Sequence, residues 1–282
     1  MKKTLAITIG CLFLATSFAF AKPKGLTFTS YDVPGAVLTA GQGNNERGDI
    51  VGFYSLTGAT SNGFMLSSGT FTFFDVPGAT NTAPRGINAR GDIVGEWDDT
   101  VDSHGFLLSG GSYTTLDFPL ATDTVAKAIN ARGDIVGFYF DTLGNEHGFL
   151  RSGGTYTTVD FPGASDTELY GISDSGEIVG TYFDAFGTPH GFLRSKKGSF
   201  TTIAPPGAIS SQARGINSSG DIVGTFSDGV VRHAFLLSKG AYTTFDVPAA
   251  DPTLPRGINA RGDISGNYTD GAGNVHGFVA TK

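Results

Sequence analysis

Six copies of one motif govern what this chain can fold into. Gly-Ile-Asn-Ala-Arg-Gly-Asp-Ile-Val-Gly begins at Gly86, and close variants begin at Gly43, Ala128, Gly171, Gly215 and Gly257. A second motif of the His-Gly-Phe-Leu-Leu type begins at Asn62, His104, His147, His190, His233 and His276, and consecutive histidines lie 43 residues apart. A third, Tyr-Thr-Thr-x-Asp-Phe-Pro-Gly-Ala, puts Asp32, Asp75, Asp117, Asp160, Ala204 and Asp246 in register. A period of this length marks one supersecondary unit that buries its apolar face only by stacking on its neighbours.

Each unit reads as four short strands, a to d. Strand a is Gly-Ile-Asn, b is Asp-Ile-Val-Gly-Phe-Tyr, c is His-Gly-Phe-Leu-Leu-Ser and d is Tyr-Thr-Thr-x-Asp-Phe-Pro. They are rich in β-branched and aromatic residues and bounded by Gly, Asn, Asp or Pro. The a–b link, Asn-Ala-Arg-Gly-Asp, has the turn residues a tight hairpin needs. Proline ends strand d because it cannot donate to a ladder.

The phase of the repeat predicts closure. Leu26 to Asp32 reads as a lone strand d, and the chain ends after His276–Thr281, a strand c. The first strand therefore supplies what the last unit lacks. The expected fold is all-β: a six-bladed β-propeller of four-stranded blades, closed by an N-terminal outer strand. The alternative, an open solenoid, calls for distinct polar caps, and none is visible in the sequence.

Gly-Ile-Asn-x-x-Gly-Asp-Ile-Val-Gly followed by His-Gly-Phe-Leu-Leu or His-Ala-Phe-Leu-Leu resembles the bacterial extracellular HAF repeat family, and His233-Ala234-Phe235 carries the namesake triplet. The resemblance spans nearly all of residues 26–282. It implies export and a repeat fold, and it assigns no activity, ligand or functional residue.

Residues 1–21 read as a signal peptide: Lys2 and Lys3, a mostly apolar stretch from Thr4 to Phe18, and Ala19-Phe20-Ala21 as the cleavage pattern. An uncleaved anchor and a lipoprotein site at Cys11 are weaker readings. Residues 22–282 are expected to form one propeller domain, exported to the periplasm or the exterior and not membrane-spanning. The one cysteine, Cys11, falls in the signal, so the mature domain has no disulfide to form. Residues 1–21 carry two lysines and no acid, so their removal takes the formal net charge from −7 to −9. Such a chain is repelled by nucleic-acid phosphates.

Six positions just before strand a are expected to ring the channel mouth: Gln42, Arg85, Lys127, Tyr170, Arg214 and Arg256. Four cations there, on an acidic protein, could hold a carboxylate, sulfate or acidic sugar. The competing reading pairs each arginine with the Asp of strand d or with an acid of the b–c loop. The varied d–a and b–c loops make their shared face the expected binding face.

Other repeated residues read as structural. The histidines are expected to make a hydrogen bond at the start of strand c rather than to bind metal. The b–c loop acids Asp99, Asp141, Asp184, Asp228 and Asp270 offer one carboxylate per loop, short of the six oxygens calcium takes. The Arg-Gly-Asp triplets at Arg47, Arg90, Arg132 and Arg261 read as turns. Departures from symmetry are few: Trp97, Lys127, Glu168, Tyr170 and Ala204.

The favoured function is a non-enzymatic binding module for a glycan, a small anion or another exported protein, without cofactor or metal, acting as a monomer. One alternative is a hydrolase or lyase on a polysaccharide or lactone, with Glu168 and Tyr170 as its first candidates. Another is a structural component of the cell surface.

Overall fold

A computed structural model describes residues 25–282; the expected signal peptide lies outside the described residues. Among these residues there are 24 strands and no helix. Blade 2 shows the pattern: strands a (Asn81–Ile87), b (Ile93–Asp98), c (Ser103–Ser109) and d (Ser112–Leu116) pair in sequence order as one antiparallel sheet. Blades 3, 4 and 5 repeat it. The last blade has strands a (Thr253–Ile258), b (Ile264–Thr269) and c (Val275–Thr281), and its fourth strand is Thr27–Tyr31 from the other end of the chain. That pairing runs from Thr27 opposite Thr281 to Tyr31 opposite Gly277. The fold is a six-bladed β-propeller, closed as its repeat phase predicts.

The innermost strand is longer than the Gly-Ile-Asn segment. In blade 2 it starts at Asn81, five residues before Gly86. Asn81 and Thr82 follow a turn and carry little apolar signal, so periodicity alone misses the first half of the strand.

The strand-c phenylalanines Phe64, Phe106, Phe149, Phe192, Phe235 and Phe278 are each at most 1% exposed. Full burial of such a ring stabilises by about 1.5–3 kcal/mol. All but Phe64 pack in a cluster that spans neighbouring blades: Val94 and Leu116 of blade 2 meet Ala126, Ile135 and Phe149 of blade 3. The strand-b glycine makes room for this ring. A Cβ on Gly137 would lie 1.9 Å from the Val125 carbonyl oxygen and 2.9 Å from the Phe149 ring.

The a–b turns join blades around the axis. Asn45 donates to the carbonyl of Asn88 (3.2 Å), Asn88 to Asn130 (3.2 Å), Asn130 to Ser173 (3.2 Å), Asn217 to Asn259 (3.1 Å) and Asn259 back to Asn45 (3.0 Å). Ser173 stands where the other turns carry Asn, so the circle is interrupted between blades 4 and 5. Each net bond of this kind contributes about 1 kcal/mol. The Arg-Gly-Asp triplets lie in these turns. Arg47 pairs with Asp49 (2.9 Å) and donates to the Ala89 carbonyl of the next blade (2.9 Å), and Arg90, Arg132 and Arg261 do the same. These arginines are about half exposed (52–55%). Exposed pairs contribute roughly 0–1 kcal/mol, so their main effect is on blade registration.

Candidate functional site

Along strand a, the ladder to strand b shifts register once in every blade. In blade 2, Pro84 faces Gly95 and Gly86 faces Val94, and Arg85 is left over. The residue left over is Lys127 in blade 3, Tyr170 in blade 4, Arg214 in blade 5 and Arg256 in the last blade; in blade 1 it is Gln42 with Gly43. A bulge re-aims the side chain it inserts. All six therefore turn onto the axis and together line a cavity of about 50 Å³.

Two features differ from the sequence reading. The six residues do not precede strand a; they lie within it, because the strand starts earlier than its motif. Five of them also border space on the a–b turn side, which the sequence reading did not foresee. An axial vestibule of about 120 Å³ lies on the a–b turn side, walled by the ends of the a strands and with Arg85, Lys127, Tyr170, Arg214 and Arg256 at its base. Only two residues of strand a separate Arg85 from the turn, and four precede it.

The ring is not electrically uniform. Arg85 and Lys127 both contact Glu96 of strand b, Lys127 at 3.3 Å. Burial works against the Glu96 charge, but the two cations outweigh it and hold the carboxyl at about 2. Burial pushes Lys127 down to about 8 against the pull of Glu96. Arg85 also lies over the Phe53 ring (4.9 Å) and Lys127 over Phe138 (4.9 Å).

Arg214 and Arg256 have no carboxylate partner among the described residues. Arg214 donates to the Gln212 amide oxygen (2.7 Å) and lies 3.8 Å over the Tyr170 ring. Arg256 donates to the Asn267 amide oxygen at 3.3 Å. Burial, then repulsion from Arg214 and Arg85, push Arg256 down to about 9, so it stays charged at neutral pH.

The acids proposed as local arginine partners are used otherwise. His147 Nδ1 meets Asp160 of strand d (2.8 Å), and Nε2 lies 3.6 Å from Asp141 of the b–c loop. His104, His233 and His276 repeat the arrangement. The strand-d Asp also accepts the N–H that opens strand c, as at Gly148 and Asp160 (3.1 Å). Blade 4 lacks that Asp because Ala204 replaces it. There Ser211 of blade 5 accepts the Gly191 N–H (3.0 Å) and donates to the Ile203 carbonyl (2.7 Å).

Glu168 and Tyr170 are adjacent in space: the Tyr170 hydroxyl donates to the Glu168 carboxylate. Burial raises the Tyr170 phenol. Between blades 3 and 4, Glu146 is pushed up to about 8 by burial and by the Glu168 charge, and its Oε1 is buried without a partner. Sequence reasoning missed Glu96 and Glu146. Glu96 is the only acid at a strand-b position otherwise held by Phe53, Phe138, Thr181, Thr225 and Asn267. That signal was present, one residue from the Trp97 that was singled out.

No protein-family model and no curated protein sequence matches the chain. Solved structures do. A six-bladed β-propeller lectin from Aleuria aurantia with a fucose recognition mode is 13% identical, with a TM-score of 0.52 over 90% of each chain. A gluconolactonase-like protein is 13% identical, with a TM-score of 0.53 over 92% of this chain and 93% of its own. TolB from Acinetobacter baumannii is 14% identical, with a TM-score of 0.58 over 72% of this chain; the match spans about half (53%) of TolB. These likenesses establish the propeller fold.

Proposed function

We propose that the protein is an exported binding module that holds an anionic group of its ligand in the channel, against Arg214 and Arg256. The carrying observation is the inequality of the ring: Glu96 offsets one of the two charges on the Arg85–Lys127 side, and the Arg214–Arg256 side has only neutral partners. Two guanidiniums held close without a counter-charge are uphill in the free protein, and a bound anion relieves that repulsion. One water takes roughly 10–15 Å³ of such space, so the 50 Å³ ring suits a carboxylate or sulfate group rather than a whole sugar. The propeller lectin with a fucose recognition mode supports a binding role. The HAF-type motifs support export, and we place the chain with that family on them.

Calorimetry with D-galacturonate, sulfate and citrate tests the proposal. At least one should bind, and Arg214→Gln with Arg256→Gln should weaken it more than tenfold. No binding by any of the three, or equal binding by the double variant, removes the proposal.

A second reading rests on Glu168, Tyr170 and Glu146. A carboxyl raised toward neutrality beside a second carboxyl is a general acid–base arrangement, suited to hydrolase or lyase action on a polysaccharide or lactone. Activity on such substrates that survives Glu168→Ala ends that reading.

A further inference from the structure

Among the described residues ten large apolar side chains are exposed, and nine of them lie on the face carrying the d–a and b–c loops. The tenth, Phe73, is on an outer strand, and the a–b and c–d turns of the opposite face carry none. Four of the nine share one repeat position, two residues after the b–c loop Asp, in four consecutive blades. They are Val101, Leu143, Phe186 and Val230, each 81–94% exposed. Exposed apolar residues scattered singly need no explanation, but one position repeated in successive blades is not scatter. The tips of turns ordinarily hold Gly, Asn, Asp, Ser or Pro.

These tips are held in place. Each loop Asp side chain accepts the N–H of its tip residue: Asp99 from Val101 (2.6 Å), Asp141 from Leu143 (2.8 Å), Asp184 from Phe186 (2.9 Å) and Asp228 from Val230 (2.9 Å). Order established before contact lowers the cost of association. Leu120, on the d–a loop between blades 2 and 3, is exposed and has a φ of 68°, where matching loops carry Gly35, Gly78, Gly163 and Gly207. A branched side chain in the left-handed region is uphill, and burial within the free protein returns nothing for it.

The charge of the face selects the partner. The d–a and b–c loops together hold twelve Asp and no Lys or Arg, whereas the turns of the opposite face hold seven cations against eight acids. The side chains of Asp99, Asp117 and Asp228 are 41–50% exposed, so their charge reaches solvent. The strand-c histidines, even fully protonated, leave these loops negative. Such a face repels a second copy of itself and an anionic lipid surface. We propose that the d–a and b–c face docks another protein, through a partner surface that combines apolar side chains with Lys and Arg. The tips of blades 2 to 5 make the apolar contacts, and the loop Asp side chains complement the cations. The surface is separate from the Arg214–Arg256 side of the channel.

Selection from a displayed library of random peptides on the full protein, with counter-selection on Leu143→Ala with Phe186→Ala, tests the proposal. Both side chains are exposed, and the last blade carries Ala272 at this position; circular dichroism and melting temperature verify the fold. Enriched peptides should combine Lys or Arg with aromatic or aliphatic residues. By calorimetry their binding should fall about tenfold or more in the double variant, about 1.4 kcal/mol, and should weaken at high salt. Arg214→Gln with Arg256→Gln should leave peptide binding unchanged, and the tip variant should leave anion binding unchanged. Vesicles of phosphatidylethanolamine with phosphatidylglycerol should not sediment the protein. No enrichment, enrichment of peptides without cations, or equal binding by the double variant overturns the proposal. Vesicle binding that the double variant loses also overturns it and assigns the tips to lipid.

Discussion

Replacing Tyr31 separates two contributions to ring closure. The ring of Tyr31 sits over two glycines: a Cβ on Gly41 would fall 2.1 Å from its hydroxyl, and one on Gly277 would fall 2.3 Å from the ring. It meets Phe64 of blade 1 edge-on at 6.3 Å. The hydroxyl is buried and has no partner, and burial, then the nearby Asp32 charge, raise its pKa. The equivalent residues in other blades are Phe74, Leu116, Val159, Ile203 and Phe245, none with a hydroxyl. An unpaired buried hydroxyl costs about 1–3 kcal/mol. Tyr31→Phe should therefore stabilise, by roughly 1–2 kcal/mol because Tyr31 is not fully buried. At roughly 2–4 °C per kcal/mol for a domain of this size, that is a rise of about 2–8 °C. Tyr31→Ala should destabilise by about 3 kcal/mol, the low end for loss of a buried ring, because the glycine backbones cannot fill the gap. Thermal melts by circular dichroism read both. A fall in Tyr31→Phe comparable to that in Tyr31→Ala would mean the hydroxyl is bonded and would refute the argument.

Three further outcomes follow from the same geometry. Deleting residues 22–34 removes the outer strand and exposes the cluster in which Leu26 and Phe28 pack on Phe245 and Phe278, so loss of cooperative melting is expected; an unchanged melting temperature would show that the ring does not depend on it. Glu146 has a folded pKa near 8, above its ordinary value, so the stability tied to its protonation is full at acid pH and is lost as pH rises through about 8; Glu146→Gln should gain over the parent in alkaline urea melts and lose that advantage near pH 4. Gly137→Ala forces a contact of 1.9 Å with the Val125 carbonyl and should lower stability by more than about 3 kcal/mol, beyond the usual 0.5–3 kcal/mol range of point changes, measured by urea denaturation.

The readable part of the sequence was local. The lone strand d at Leu26–Asp32 was visible because its motif matches five others, and its partner was visible because His276 begins the sixth copy of the strand c motif. The turn role of Arg47, Arg90, Arg132 and Arg261 followed from the Asn and Gly that flank or split each triplet. The start of strand a was not readable, because Asn81 and Thr82 carry no strand pattern. Nor was the bulge, which depends on how one strand pairs with its neighbour. The sequence did put Gln42, Arg85, Lys127, Tyr170, Arg214 and Arg256 on one repeat position, and a shared position in a closed ring brings them to one cavity.

Which of those residues keeps a free charge was beyond the sequence. The answer turns on Glu96, which reaches Arg85 in its own blade and Lys127 in the next, while Arg214 and Arg256 meet only amides and a Tyr ring. Such pairings are set by distances across blade boundaries. Period, turn chemistry and phase act within or between adjacent strands, so blade number and closure were determined by the sequence alone. Charge balance and open volume are sums over side chains converging from different blades, so only the tertiary structure decided them.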